Sequence, residues 1–473
     1  MKNFYGSLAY HFQVQNLTII AMEKTNVLII GGGASGLQAA ISAKTNYPDK
    51  SVLVIRKEDK VLVPCGIPYI FGSLHTSDKN ILPDKMLTDI GVEIKIAKVD
   101  KVDVENNVCY LTDNEKIYFE KLIFATGSIP TVPKWLKGGD LENVFIIPKN
   151  KRYLDEMHIK LKPLKKIITI GAGFIGVEMS DEMNKAGWDV TLVEIEPSIL
   201  SRAFDKEFGD KAEELLKSRG VKIITGKGVK EIVGKDGKVS KVILSSGEEL
   251  EADAVILSMG YVPNTELAKK SGIELNKFGF IKTCEYMRVD NCSPHIYAVG
   301  DCAEKRDFLT RKLNATMLAS TACAEARVAG MSLYDLSPCK AFSGTIAIYD
   351  TAIGDTALGT AGVIESKAIE ENFSVVVGSF TGMDKHPGTL EGMHPQTVKL
   401  IVAADCGMII GGEVYGGCSV GELTNAIGFL IQSHTNIKGL LTAQIGTHPL
   451  LTGSPAAYPL IKAAEVVAKK LRR

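Results

Sequence analysis

A chain of 473 residues, 45% hydrophobic and 23% charged, is long enough for two to four domains and has the make-up of a globular protein that buries its own cores. Lys+Arg and Asp+Glu both number 55, so the balanced charge argues against a nucleic-acid or anionic-membrane partner. No apolar run is long enough to cross a bilayer, and cysteines that never fall at C-x-x-C spacing leave zinc and iron–sulfur frameworks without support, so no metal is expected.

Met1 to Ala21 include Lys2, His11, Gln13, Gln15 and Asn16, which interrupt any apolar core. The stretch reads as an N-terminal extension ahead of Met22 rather than a signal peptide. An odd cysteine count of nine without a secretion signal fits a reducing, cytoplasmic setting.

The first chemical signal follows. Asn26-Val-Leu-Ile-Ile30 reads as a buried parallel strand and runs into Gly31-Gly-Gly33-Ala34-Ser35-Gly36, a G-x-G-x-x-G turn. A helix-compatible run, Leu37 to Lys44, and the strand Ser51–Ile55 complete a β-α-β unit. A segment with Pro64, Cys65, Gly66 and Pro68 comes next. Further on, the strand Lys121–Ala125 stops at Thr126-Gly127-Ser128, where Pro130 and Pro133 rule out a helix.

A second unit repeats the first. Lys166–Ile170 leads into Gly171-Ala-Gly173-Phe174-Ile175-Gly176, then a helix over Val177–Ala186 and a strand over Asp189–Glu194. In each loop the first glycine allows the tight turn, and the second lets the backbone approach a pyrophosphate. The third lets the helix pack closely, its N-terminus toward the phosphates. Two such loops suggest electrons passing between two dinucleotide cofactors.

An acid about 20 residues past the glycines holds the adenosine ribose in folds of this kind. Glu194 fills that role at the second loop and, by repelling a 2′-phosphate, favours NADH over NADPH. At the first loop the same place reads Ile55-Arg56-Lys57-Glu58. Either Glu58 reaches back, or Arg56 and Lys57 contact the cofactor.

Beyond the second unit, Val239–Leu244 and Ala252–Leu257 read as strands with hairpin-like turns. Ile296-Tyr-Ala-Val-Gly300-Asp301 is another strand, ending in a glycine and an acid, and a helix over Ala315–Gly330 succeeds it. From Phe342 the pattern shifts to short strands, Gly344–Tyr349, Ser374–Phe380, Thr397–Ala403 and Met408–Val414, closed by helices over Gly421–Gln432 and Tyr458–Leu471. No glycine fingerprint occurs there, so this is a different kind of domain.

Together these motifs resemble the pyridine nucleotide-disulfide oxidoreductases. Gly31–Gly36 looks like the family's FAD pyrophosphate loop and Ala125-Thr126-Gly127 like the turn leaving the FAD domain. Gly171–Gly176 with Glu178 looks like the NAD loop, and Ser258-Met-Gly260-Tyr-Val-Pro-Asn264 like the re-entry segment. Tyr297–Asp301 resembles the second FAD motif, whose aspartate binds a ribityl hydroxyl, and the same alignment sets Val99 against the adenine.

The resemblance implies an α/β fold with two Rossmann-like domains, for FAD and NADH, and a C-terminal α+β dimerisation domain. The expected divisions are an extension over 1–21, an FAD domain over 22–146 and 280–340, an NAD domain over 147–279, and the C-terminal domain over 341–473. The assembly would be a homodimer or a dimer of dimers.

With Cys65 alone in its segment, and neither Lys60 nor Ile70 supplying a partner thiol, the chain resembles the family's single-cysteine branch. That branch holds NADH oxidases, NADH peroxidases, coenzyme A-disulfide reductases and polysulfide reductases. A cysteine after a proline, opening a helix, should have its thiolate favoured. The other eight cysteines read as small buried hydrophobes. Peroxidases and water-forming oxidases carry a histidine in the first glycine loop; here Ala34 stands in its place. Coenzyme A-disulfide reductases place tyrosines where this chain has Lys385-His386-Pro387-Gly388 and Gly446-Thr447-His448-Pro449. His448 is the expected acid–base group reaching across a dimer interface, with His386 its competitor. The reading is hydride transfer from NADH to FAD, then through Cys65 to a small-molecule acceptor: a disulfide, polysulfide or CoA-persulfide, with possible oxygen reduction. The alternatives are a dedicated NADH oxidase and a non-catalytic flavoprotein that senses redox state.

Overall fold

The computed structural model describes residues 22–335 and 340–472; the expected extension over 1–21 and Cys339 lie outside them. The strand Glu23–Ile30, whose apolar end is buried on both faces, runs parallel between Val52–Arg56 and Lys116–Phe124. Glu93–Ile96 extends this sheet at one edge. Val99–Asp103 and Val108–Leu111 add antiparallel strands on the other side. Ile296–Ala298 returns from far along the chain to pair with Lys116–Phe124, so two separated stretches build one sheet.

Helix Ala34–Asn46 covers this sheet and packs against helix Ala319–Met331. Small residues permit the crossing: a Cβ on Gly330 would fall 2.6 Å from Ser42 Cβ and 2.9 Å from the Ala39 carbonyl oxygen. The second helix starts four residues later than expected, because 315–318 remain outside helix.

A second, five-stranded sheet is wholly parallel, in the order Val144–Ile146, Ala254–Leu257, Lys166–Ile170, Asp189–Val193, Lys222–Ile224. Two expectations change here. Val144–Ile146, grouped with the first domain by the division at 146, pairs instead with Ala254–Leu257, because this apolar strand completes the parallel edge. Ala254–Leu257 belongs to that buried sheet rather than to a hairpin. The hairpin partners of Lys238–Leu244 are Val229–Lys235 and Glu249–Glu251.

A third sheet is antiparallel and ordered Tyr349–Ile353, Thr356–Gly362, Ile409–Gly416, Pro395–Ala403, Val375–Met383. The strand expected over Gly344–Tyr349 lies later, because the chain reverses at Gly354-Asp355 and sets Ile353 opposite Thr356. Helices Val420–Gln432 and Pro459–Leu471 cover the sheet with Val420, Leu423, Ile427, Ile431, Leu460, Ala463, Ala464 and Val467.

The third sheet is joined to the second by a buried ionic knot. Lys399 Nζ lies 2.7 Å from Asp205, 2.5 Å from Glu207, 3.0 Å from Glu365 and 3.3 Å from Glu413. The carboxylates of Asp205, Glu207 and Glu413 could gather a cation, and the Lys399 ammonium supplies that charge.

Candidate functional site

The first glycine loop is built around close approach. Gly31 has φ +115° and donates its N–H to the Ile55 carbonyl at 2.8 Å. A Cβ there would lie 2.1 Å from the Ala125 carbonyl oxygen, and one on Gly36 would lie 1.9 Å from that of Gly31. Both positions therefore exclude any larger residue. At Gly33, by contrast, a Cβ would meet nothing within 4 Å. This open side is where a pyrophosphate can approach the helix N-terminus. That helix begins at Ala34 with no side-chain cap, which leaves its first amides available to an anion. Ser35 packs under the Gly300 turn.

The other motifs assigned to the same cofactor converge on this loop. Ala125 N donates to Ile30 O at 2.9 Å, and Gly127 turns the chain at φ +70°. Thr126 Oγ1 donates to Asn264 O at 2.7 Å, and Asn264 Nδ2 returns a bond to Thr126 O. The re-entry segment, with Gly260 at φ +92°, is thus sewn to the turn. Asp301 Oδ2 accepts from Ser128 Oγ at 2.7 Å and from Lys149 Nζ at 2.8 Å. Burial works to raise the Asp301 carboxyl, but Lys149 and Ser128 hold it below the ordinary carboxylate range.

Of the residues expected to contact this cofactor, Arg56 spends its guanidinium within the protein. Arg56 is buried; its guanidinium donates to Asp84 at 2.6 and 2.8 Å and to the Glu58 and Asp59 carbonyls, while its methylenes pack on Gly32. Its charge is satisfied within the protein, so it supports the loop instead of meeting a ligand with its cation. Lys57 is exposed and lies 3.4 Å from Glu58. Val99 is half-buried against the first core.

The second glycine loop repeats the geometry of the first. Gly171, at φ +99°, donates to Val193 O at 2.8 Å. A Cβ would lie 2.6 Å from Ser258 O at Gly171 and 1.8 Å from Gly171 O at Gly176, while Gly173 again faces open space. Glu194, just past its strand, accepts from Ala172 N at 2.6 Å and from Glu196 N at 2.9 Å, which holds its carboxylate at the loop. Phe174 stacks on Tyr349 of the third sheet at 5.0 Å, and Ile175 packs into the core. Both cradles fit a dinucleotide pyrophosphate.

Cys65 lies within electrostatic reach of Glu178, on the second loop's helix, and of Asp301. It sits in a single 3-10 turn, Pro64–Gly66, followed by a short helix, Tyr69–Gly72. That helix rests on helix Phe174–Lys185: a Cβ on Gly72 would lie 2.3 Å from Glu182 O, and Ser73 Oγ donates to Glu182 at 2.8 Å. The expected lowering of the thiol by a helix start is corrected by this geometry, since a one-turn element carries little dipole. Surrounding protein, the Glu178 carboxylate and Asp301 instead push the thiol up, with Lys149 opposing them.

Glu178, expected to serve the nucleotide loop, is near enough to Cys65 for its charge to act on the thiol. It accepts from Thr351 Oγ1 of the third sheet at 2.9 Å, and burial raises its carboxyl to about 7. Tyr69, beside the cysteine, is pushed up to about 12 by burial and neighbouring acids, so its phenol keeps its proton. Lys149 and Thr351 escape a sequence reading because neither lies in a recognisable motif, and Ser128 and Tyr69, though they adjoin the turn at Thr126-Gly127 and the Cys65 segment, show their partners only in the fold. The other cysteines divide. Cys109 and Cys302 are buried as expected, whereas Cys406 and Cys418 are exposed.

His448 lies in an exposed loop of the C-terminal region. Its Nδ1 accepts from Leu450 N at 3.2 Å, which leaves Nε2 to carry the hydrogen of the neutral ring. His386 belongs to the same substructure: its Nδ1 contacts Thr452 O at 3.0 Å and its N–H donates to Pro449 O. Within one chain neither histidine has a bond to Cys65.

Residues 25–326 match the pyridine nucleotide-disulphide oxidoreductase family, and residues 348–457 match that family's dimerisation domain. An NADH oxidase of Methanocaldococcus jannaschii is 31% identical over 461 residues, covering 94% of this chain and 99% of that protein. An NAD(P)H coenzyme A polysulfide/persulfide reductase of Pyrococcus horikoshii is 30% identical over 94% of this chain and 98% of its own length. Among solved structures, an NAD-dependent persulfide reductase from A. fulgidus superposes with a TM-score of 0.86 at 26% identity, covering 94% of this chain and 83% of that one.

Proposed function

The chain belongs to the pyridine nucleotide-disulphide oxidoreductase family, and from that premise we propose that this NAD(P)H-dependent FAD enzyme reduces a sulfur-bonded acceptor through Cys65. When bound, FAD takes a hydride from NADH and hands two electrons on. The chain's own residues do the rest. Gly31, Gly33 and Gly36 would seat the FAD pyrophosphate, and Asp301 its ribityl chain. Gly171, Gly173 and Gly176 would seat the NADH pyrophosphate, with Glu194 on its ribose.

The observation that carries the acceptor assignment is an exposed Cys65 whose ionisation is opposed by the charge of Glu178. A carboxyl that changes protonation near neutral pH can hold the proton the thiol releases and return it to a leaving thiolate. Ala34, at the start of the first helix, offers only a methyl group where a peroxide-handling histidine would stand. This favours a disulfide or polysulfide over peroxide. Oxygen reduction remains the second reading, favoured by the likeness to the Methanocaldococcus NADH oxidase.

The experiment is turnover of purified enzyme with NADH on oxygen, peroxide, coenzyme A disulfide and polysulfide. The sulfur acceptors should give the highest kcat/KM and depend on Cys65. Oxygen turnover exceeding all of them, unchanged in Cys65→Ser, would overturn the reading in favour of a dedicated oxidase.

A further inference from the structure

The turn carrying Asp301 has little regular structure to hold it. Its strand ends at Ala298, and Gly300–Cys302 form one 3-10 turn with Gly300 at φ +75°. What grips it is a pair of ionic side chains fully withdrawn from solvent. Glu325, from helix Ala319–Met331, accepts the Gly300 N–H at 2.8 Å. Lys305 Nζ donates to the Gly300 carbonyl at 2.6 Å and to the Ala303 carbonyl at 3.1 Å, and lies 3.3 Å from Glu325 Oε1. Both polar groups of Gly300 are therefore held, one by each member of the pair, immediately before Asp301.

The far side of the turn is closed as well. A Cβ on Gly300 would lie 2.5 Å from Ser35 Oγ, so the turn is pressed against the start of the first glycine-loop helix. Both side chains of the ion pair are 0% exposed. Removing two charges from water opposes folding, and well-packed apolar residues of the same size often serve stability equally well. The pair's bonds here go to one peptide turn, which points to a geometric role.

We propose that Lys305 and Glu325 are positioning residues of the FAD site, fixing the Gly300 turn so that Asp301 presents its carboxylate to the ribityl chain. The proposal rests on the reading of Asp301 as a flavin ligand. Neither residue touches the cofactor; both act through the backbone that carries Asp301. The second carboxylate oxygen of Glu325 has no partner beyond the Lys305 ammonium, so removing Lys305 strands a buried acid.

The test is the FAD dissociation constant of the purified holoprotein, followed by flavin fluorescence on dilution, beside its melting temperature. Glu325→Leu and the paired change Lys305→Met with Glu325→Leu, which leaves no unpaired buried charge, should each weaken FAD binding by about tenfold or more. Glu325→Gln should stay within about threefold of the parent, since its amide oxygen still accepts from Gly300 and Lys305 keeps its two carbonyls. In an Asp301→Asn background the loss from Glu325→Leu should shrink, the non-additivity expected when one residue works through another. A folded double variant that holds FAD like the parent, or equal losses in both backgrounds, would overturn the proposal and leave the flavin reading intact. A parent protein that folds and takes up no FAD would overturn the flavin reading itself.

Discussion

Thr351 donates its hydroxyl hydrogen to the Glu178 carboxylate at 2.9 Å, so a strand of the C-terminal sheet sets a side chain of the second glycine-loop helix beside Cys65. The thiol thus feels the charge of a residue on the second loop's helix that is itself held by the third sheet.

The pH dependence of that thiol follows. Glu178 is neutral below about 7 and ionised above it, because burial raises its carboxyl while the Thr351 bond opposes the rise. As pH climbs through 7 the new negative charge opposes ionisation of Cys65. Glu178→Gln removes that charge, so the midpoint of Cys65 alkylation against pH should fall by roughly one unit. An unchanged or higher midpoint would remove Glu178 from the thiol's surroundings.

Cys65→Ser should leave FAD binding and flavin reduction by NADH intact, because that half-reaction needs no thiol. Disulfide and polysulfide reduction should vanish from steady-state assays. Oxygen consumption is expected to persist in part, through direct reaction of reduced flavin.

The reading of Glu194 as the ribose partner predicts nucleotide choice, since its carboxylate is held at the loop by Ala172 N and Glu196 N. A 2′-phosphate would meet a fixed negative charge there. Measured kcat/KM should favour NADH by one to two powers of ten, on the order of 1–3 kcal/mol, and Glu194→Ala should narrow the gap. A native preference for NADPH would contradict this reading.

The ionic knot between the second and third sheets predicts a stability profile. Burial and the neighbouring Asp205 push the Glu413 carboxyl up to about 9, against an ordinary value of 4.5. The folded state therefore keeps a proton that the unfolded chain has lost. The stabilisation is fully present below 4.5 and is lost as pH rises from there to about 9. Glu413→Gln removes this slope while its amide oxygen can still accept from Asp205 N, as the Glu413 carboxyl does at 2.7 Å. Melting scans should find the variant about 1–3 °C more stable at pH 8 and indistinguishable at pH 4. A decline with pH as steep as the parent's would show that Glu413 is not the group responsible.

Much of this molecule is legible from its residues, for identifiable reasons. The glycine loops declare themselves because turn, close approach and helix packing each need a missing Cβ, and 1.8–2.6 Å clearances confirm that need at Gly31, Gly36, Gly171 and Gly176. Arg56 misleads because its chain position fits a ribose contact, while its partner Asp84 is distant in sequence. Glu178 is legible only in part: its position in the second loop's helix suggests the nucleotide, and its bond to Thr351 of the third sheet forms only in the folded chain. Lys149 and the Lys305–Glu325 pair carry no motif, since their roles depend on contacts made only after both sheets form. The first strand of the third sheet was displaced by a turn signal in plain view, Gly354-Asp355.

The final prediction concerns His448. Its exposed loop carries Leu450 and Leu451 at 57% and 69% exposure, large apolar side chains unlike those a lone surface loop usually shows. The C-terminal region matches a dimerisation domain, so a second copy is the expected cover for them. If that copy brings the loop to the partner's Cys65, His448 in its imidazolium form can hand a proton from Nε2 to a leaving thiolate and become the neutral ring. His448→Ala should slow disulfide reduction about 10²-fold or more, the usual scale of general acid–base catalysis, with flavin reduction unaffected. His386→Ala is the informative control, because His386 is tied to the same loop through Pro449 and Thr452. Should His386→Ala cause the larger loss, the acid–base role passes to it. Sedimentation of the parent decides the premise, since an active strict monomer would leave both histidines far from any thiol of a second chain.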